Sequence, residues 1–257
     1  MAHVHVLNLL NYGPIEYMRI DALQRDLHDR VARLEAPDTL IVWESQPTYT
    51  AGRRTQPQDI PDSHIPVIAM DRGGSVTFHG PGQLVVYPIV KVKPPKDVVS
   101  FVRNTELAIG RAMKHFGVVT QQIEGRSGAW IVREGQIDRK LVAIGIKFAD
   151  DATMHGMALN VTTSIEDFMR VVPCGLDDAG VASLQNEGVE TTLGEVEAIL
   201  VPELARTYAQ FLIPERIEAE LTYDDAAAAL ARIDHLSASL PAKTGVAWKP
   251  PTTKETN

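Results

Sequence analysis

RGGSVTFHGPGQLVVYPIV, residues 72–90, holds two extended runs with no room for a helix between them. Gly73-Gly74 and Gly80-Pro81-Gly82 are turn residues. Between them Ser75–Phe78 is a short extended segment, and Leu84–Val90 is the longest apolar run of the chain. Parallel strands need a crossover of a dozen or more residues, whereas antiparallel strands need only a tight turn. The stretch therefore predicts antiparallel or mixed pairing rather than repeated βαβ units.

Working outward, residues 3–10, 39–43, 48–52 and 65–70 read as strands. So do 118–123, 129–132, 140–148 and 157–161, with Gly135 at a turn. Residues 14–34 and 98–116 carry apolar positions three or four apart and read as helices. Thr191-Thr192 caps a further helix that Pro202 interrupts, with a second helical stretch to Leu212. Residues 53–63 read as a loop. The expected class is α/β (α+β): a mixed, largely antiparallel sheet with packed helices. One domain is expected over residues 1–215. Residues 216–257 differ, with an Ala-rich helix at 224–236, then a Pro-, Lys- and Thr-rich tail that contains Trp248.

The chain has 257 residues, and 25 Lys and Arg against 33 Asp and Glu leave a formal net charge of −8. That balance disfavours a nucleic-acid binder with a basic surface. The single cysteine, Cys174, rules out an intrachain disulfide and any thiolate-rich zinc site. With no apolar run near ~18 residues and no signal-like start, the expectation is a cytoplasmic protein without a membrane partner. P-loop, dinucleotide-binding, nucleophile-elbow and zinc-protease motifs are absent, and the eight histidines are scattered. No cofactor and no metal are expected.

Four segments look chemical. The first is Arg72 to Gln83, where two glycines allow close backbone approach. Its exposed N–H groups suit an acyl carbonyl or carboxylate; the plainer reading is a tight hairpin with a polar end. The second is Asp138 to Ile146, in which Lys140 heads an apolar run and Gly145 permits close approach of a ligand; a lysine there also suits a solvated strand end. The third, Met154 to Asn160, carries His155 and Asn160. The fourth is Val172-Pro-Cys-Gly-Leu176, where the thiol lies on a turn. A lone cysteine is either a small buried hydrophobe or a nucleophile.

Together and in this order, these segments resemble the lipoyl(octanoyl) transferase family. The matching stretches are RGGSVTFHGPGQLVVYP (72–88), RKLVAIGI (139–146), HGMALNV (155–161) and VVPCGL (171–176), with QPTYTAGR (46–53) and ASLQ (182–185) in support. The resemblance covers roughly residues 5–213. Asp138 departs from it, standing where a glycine is usual.

The resemblance implies a fold similar to the catalytic domains of biotin and lipoate protein ligases. It implies transfer of an octanoyl group from octanoyl-acyl carrier protein to a lysine on acceptor proteins. The acceptors would be lipoyl domains of 2-oxoacid dehydrogenase complexes and the glycine cleavage H protein. It assigns Cys174 as the acyl-thioester nucleophile and Lys140 as its partner. The acyl-substrate site would comprise Arg72, Gly73, Gly74, Ser75, Val76, Thr77, Phe78 and His79, then Ala143, Ile144, Gly145, Gly156, Met157 and Ala158. His155 and Asn160 would support it.

The chemistry is self-consistent. Thioester exchange is near isoenergetic and thioester to amide is downhill, so no ATP is needed. A covalent intermediate splits transfer between two bulky substrates, and a thiol and an amine held together titrate as a pair. An acidic carrier partner demands a local basic face on this acidic protein. Arg53, Arg54, Arg126 and Arg139 are one candidate and Lys91, Lys93 and Lys96 another. An ATP-dependent ligase would need adenylate-binding residues and no acyl cysteine. A silent binding protein would have no use for Lys140 with Cys174.

Overall fold

The computed structural model describes residues 4–60, 64–168, 179–213 and 226–239. Cys174 and the tail with Trp248 lie outside them. Seven strands stand side by side: β1 (His5–Asn8), β2 (Thr39–Trp43), β6 (Gln83–Ile89), β10 (Ala152–Asn160), β9 (Asp138–Ala149), β8 (Arg126–Ile131) and β7 (Gln121–Ile123). β1 and β2 run parallel, and every other neighbouring pair in this row is antiparallel. A short strand, β11 (Ala179–Val181), adds parallel to the start of β9. A second sheet holds β4 (Val67–Ala69), β3 (Thr48–Ala51) and β5 (Val76–His79). The mixed, largely antiparallel sheet is as expected.

The 72–90 stretch is not a hairpin. β5 pairs with β3 and β6 with β2 and β10, so Gly80-Pro81-Gly82 carries the chain from one sheet to the other. Gly82 has φ +80°, and a Cβ there would strike the Thr162–Thr163 backbone. Only glycine suits both the turn and that approach.

Alternation sorts the side chains of the large sheet to two cores. Leu40, Val42, Leu84, Val86, Met157 and Leu159 meet α2 (Val98–Lys114) and α4 (Leu193–Tyr208). Ile41, Trp43, Val85, Tyr87, Ile89 and Ala158 meet α1 (Tyr17–Ala32). β2 and β6 are buried throughout, which is why both read as unbroken apolar runs.

Asp97 caps α2 by accepting from the Ser100 amide (2.8 Å), and Thr192 with Glu195 forms a capping box on α4. Pro202 does not interrupt α4, contrary to the sequence expectation. The missing N–H costs one hydrogen bond, while Leu200, Val201 and Leu204 stay fully buried against the core. β10 begins five residues before the expected 157, because its first half includes polar residues that are nonetheless buried. β8 begins three residues early, and β7 is confined to Gln121–Ile123. The 53–63 loop contains a 3-10 turn at Pro57–Asp59. α3 (Ile165–Phe168) is one short turn.

α5 (Ala226–Ser239) packs on α1, with Ile233 fully buried and ion pairs joining Arg19 to Asp234 and Arg232 to Asp26. Among the described residues no helix is long and apolar enough to cross a membrane, and no cluster of three metal-ligating side chains occurs.

Candidate active site

Lys140 stands where β9 changes partners. Val142 pairs with Leu159 of β10, whereas Lys140 pairs with Val181 of β11, and the Lys140 carbonyl accepts from the Ala182 amide (2.9 Å). On the other side the register with β8 jumps. Ala129 faces Val142 and Trp130 faces Lys140, so β9 carries one extra residue. This is a β-bulge, and it reverses the alternation. Leu141 and Val142, though consecutive, both enter the core beneath α2 and α4. Lys140 and Ala143 both line a cavity instead. Lys140 is only 3% exposed.

The cavity has a volume of about 310 Å³. Lys140, Ala143, Ile144 and Gly145 of β9 line it, as do His155, Gly156, Met157 and Ala158 of β10. Arg72, Gly74, Ser75, Val76, Thr77 and His79 form another wall, and Tyr87 joins them. Ala143 and Ala158 are directly paired across β9 and β10, and so are Gly145 and Gly156. Four small residues thus leave the sheet nearly bare at the floor of the cavity.

Gly145 has a second purpose. A Cβ there would lie 3.1 Å from the Gly73 carbonyl oxygen and 3.2 Å from Arg72 Cδ. The 72–74 turn approaches Gly145 closely from one side, and Gly145 also lines the cavity. Gly52 is packed against the same turn, and a Cβ there would stand 2.8 Å from Arg72 Nη1. Arg72 is buried and turned into the protein, where its guanidinium donates to Thr50 Oγ1, the Thr50 carbonyl (2.5 Å) and the Gly73 carbonyl (2.8 Å). It braces the wall. Ser75 donates to Asp59 Oδ2 (2.5 Å), tying the wall to the 3-10 turn.

His79 belongs to a polar chain with fixed directions. Gln83 Nε2 donates to the Phe78 carbonyl (3.1 Å) and to Asn160 Oδ1 (2.9 Å), and Asn160 Nδ2 donates to the Ala182 carbonyl (2.9 Å). Gln83 Oε1 is then the acceptor for His79 Nδ1–H (2.8 Å). This leaves His79 Nε2 as a lone-pair acceptor. Burial, aided by Arg72, lowers the imidazole pKa to about 3. A neutral ring with this tautomer can accept a hydrogen bond and cannot donate one to an oxyanion.

His155 is in the left-handed region at φ +58°, a conformation that non-glycine residues adopt rarely. Its amide donates to Gln24 Oε1 (2.9 Å), its Nδ1 accepts from Gln24 Nε2 (3.2 Å), and its Nε2–H donates to Asp71 Oδ1 (2.8 Å). Burial lowers the pKa of this ring too. Asp71 also binds Arg25 of α1 and Lys147 of β9. The His155 hydrogen bond, with those of Arg25 and Lys147, holds the Asp71 carboxyl far below the usual carboxylate range. His155 thereby anchors the loop that leads into Arg72.

Three expected site residues stand apart from the cavity lining. Phe78 packs with Tyr49 and Phe168, Gly73 faces a neighbouring depression, and Asn160 is the second link of the His79 chain. Cys174 lies outside the described residues. Residues not singled out by the sequence also line the cavity: Gln56, Gln58, Asp59, Tyr87 and Ser127. The polar 53–63 loop contains the first three of them.

Of the basic residues, Arg126 pairs with Asp138 (3.9 Å) and Arg139 with Glu187 (2.5 Å), while Lys91 and Lys96 pair with Asp151. Arg53 and Arg54 are exposed and form no ion pair among the described residues. Both line the neighbouring depression, which shares Arg54, Gly74, Ser127, Ile144 and Gly145 with the cavity.

Comparison with known proteins gives a consistent picture. The family model described as "Lipoyl protein ligase A/B catalytic domain" matches residues 17–205. An octanoyltransferase of Acidothermus cellulolyticus is 45% identical over 207 residues, 80% of this chain and 92% of that protein. One from Thermobifida fusca is 47% identical over 190 residues, 72% and 80% of the two chains. In three dimensions the chain resembles a bipartite lipoate protein ligase of Thermoplasma acidophilum. The TM-score is 0.65 at 16% identity, over 91% of this chain and 93% of the other. A lipoate-protein ligase A bound with ATP gives 0.63 at 16% identity, over 91% and 95%. The likeness to the ligases is one of fold, whereas identity above 40% over most of both chains carries kinship, and so this chain belongs to the octanoyltransferases of the lipoyl protein ligase A/B catalytic domain family.

Proposed function

We propose that this enzyme takes an octanoyl group from octanoyl-acyl carrier protein onto Cys174 as a thioester. It then passes the group to the ε-amine of a lysine on a lipoyl domain. The observation that carries this reading is a buried Lys140 on the wall of a cavity floored by Ala143, Gly145, Gly156 and Ala158. Cys174 lies six residues after Phe168 and five before Ala179. Phe168 packs on Phe78, and β11 pairs with the Lys140 end of β9. An extended chain covers at most ~3.6 Å per residue, which supports pairing of the thiol with Lys140.

In the first half-reaction the Cys174 sulfur attacks the donor's thioester carbonyl, and its proton passes to Lys140. The tetrahedral oxyanion collapses, the new C–S bond persists, and the carrier's pantetheine thiol departs with a proton. In the second, the acceptor amine attacks the Cys174 thioester and loses a proton to Lys140. The amide forms and the cysteine sulfur is released. Oxyanion donors are typically worth ~2.7–4 kcal/mol each. Gly74 lines the cavity, and its amide makes no hydrogen bond among the described residues, which suits that role. Burying the seven carbons beyond the carbonyl contributes up to about 5–6 kcal/mol.

Intact-mass measurement after incubation with octanoyl-acyl carrier protein tests the reading. An octanoyl adduct should form, vanish in Cys174→Ser and be discharged by a lipoyl domain. No adduct, or a requirement for ATP and free octanoate, would overturn it.

A further inference from the structure

Trp130 is fully buried on β8. Lys140 Nζ lies 4.4 Å from the centroid of its indole, and the Arg126 guanidinium carbon lies 5.9 Å from the same ring. Among the described residues the indole Nε1 has no hydrogen-bond partner. The ring turns its face to Lys140.

The backbone beside the indole is held independently. Gly128 has φ +124°, and its amide donates to Glu106 Oε1 of α2 (2.8 Å). A Cβ at Gly128 would stand 2.5 Å from the Val142 carbonyl oxygen and 3.3 Å from Lys140 Cε. Glu106 is buried, and its other oxygen accepts from Arg103 (2.8 Å) and Gln122 (3.0 Å). The bulge, the bare Gly128 and the indole face together enclose the stem and head of Lys140.

We infer that Trp130 is a positioning residue whose indole face fixes where Lys140 Nζ stands in the cavity. This rests on the acyl-transfer role proposed for Lys140. A cation within about 6 Å of an indole centroid is attracted to the ring face, most strongly when desolvated. A lysine otherwise carries its charge on a flexible four-carbon stem. Trp130 does not itself line the cavity, so it acts through Lys140.

Two variants and one spectrum test this. In the wild-type protein, the Lys140 ε-methylene protons, identified by their loss in Lys140→Arg, should resonate upfield of exposed lysines through the indole ring current. Trp130→Leu removes the face and should lower kcat by roughly tenfold while donor KM stays within about twofold. Trp130→Phe keeps a ring and should recover most of kcat. A merely structural tryptophan would disturb KM and kcat alike, with no rescue by Phe. Unshifted Lys140 protons, or an undiminished kcat in Trp130→Leu, would overturn the inference; if the Leu variant does not fold, the spectrum and the Phe variant decide. Failure of the wild-type chain to form an acyl adduct would sink the proposed function instead, while the ring-current shift would still report the Lys140–Trp130 geometry.

Discussion

Lys140 and Ala143 face the same cavity although they are three residues apart on one strand. Strict alternation would send them to opposite sides of the sheet. The extra residue in β9 opposite Ala129–Trp130 absorbs the difference. If Lys140 shuttles protons there, Lys140→Arg should keep the charge and lose the shuttle, because a guanidinium does not deprotonate. Transfer to the acceptor should fall by roughly 10²–10⁴-fold. Single-turnover discharge of pre-acylated enzyme measures it, and a normal rate would exclude Lys140 from the second half-reaction.

Arg53 and Arg54, exposed and without an ion pair among the described residues, narrow the basic face expected for an acidic carrier. Reversing both to Glu should raise donor KM by about tenfold at low salt, with the difference shrinking as ionic strength rises. Arg139→Glu would instead oppose Glu187 within the protein and should act on stability more than on KM. Equal effects of the two changes on KM would discard the Arg53–Arg54 surface.

Gly52→Ala should damage the cavity wall from behind. The added methyl meets the Gly74 carbonyl and Arg72, which Thr50 holds rigidly. Overpacking of this kind typically costs about 1–3 kcal/mol. A lowered urea midpoint together with a raised donor KM is expected, and an unchanged midpoint would show that the turn yields freely.

His79 should make folding sensitive to mild acid. Its pKa falls from 6.5 to about 3 in the folded protein. The unfolded chain therefore binds the extra proton as pH drops below 6.5, and the folded one does not until about 3. Stability is fully present above 6.5 and declines by up to about 1.4 kcal/mol per pH unit through that window. His155, lowered in the same direction, adds to the slope. Urea titrations between pH 7 and 4 should show a shallower decline in His79→Gln than in the wild type. Parallel curves would mean that the ring is protonated when folded.

Most elements were legible because their signals are local. Residues 39–43 are apolar on both faces, Thr192 precedes a Glu three residues on, and glycines mark the turns. Arg72, His79, Lys140 and Gly145 stood out by residue type and neighbours, and the fold brings them to one cavity. What misled is equally specific. Gly80-Pro81-Gly82 is as good a hairpin turn as a corner between sheets, and its use depends on which distant strand β5 meets. Pro202 breaks a helix in isolation, yet tertiary packing of its neighbours carries α4 through it.

The sequence by itself determined the mixed sheet and the helices around it. It did so through periodicity, turn residues and residue type, all of which act over a few neighbours. Only the tertiary structure decided which side of the sheet Lys140 faces, that Arg72 braces a wall and that Arg126 and Arg139 are spent on ion pairs. Those outcomes depend on partners from distant parts of the chain, and a single extra residue in a strand is enough to turn a side chain to the other face.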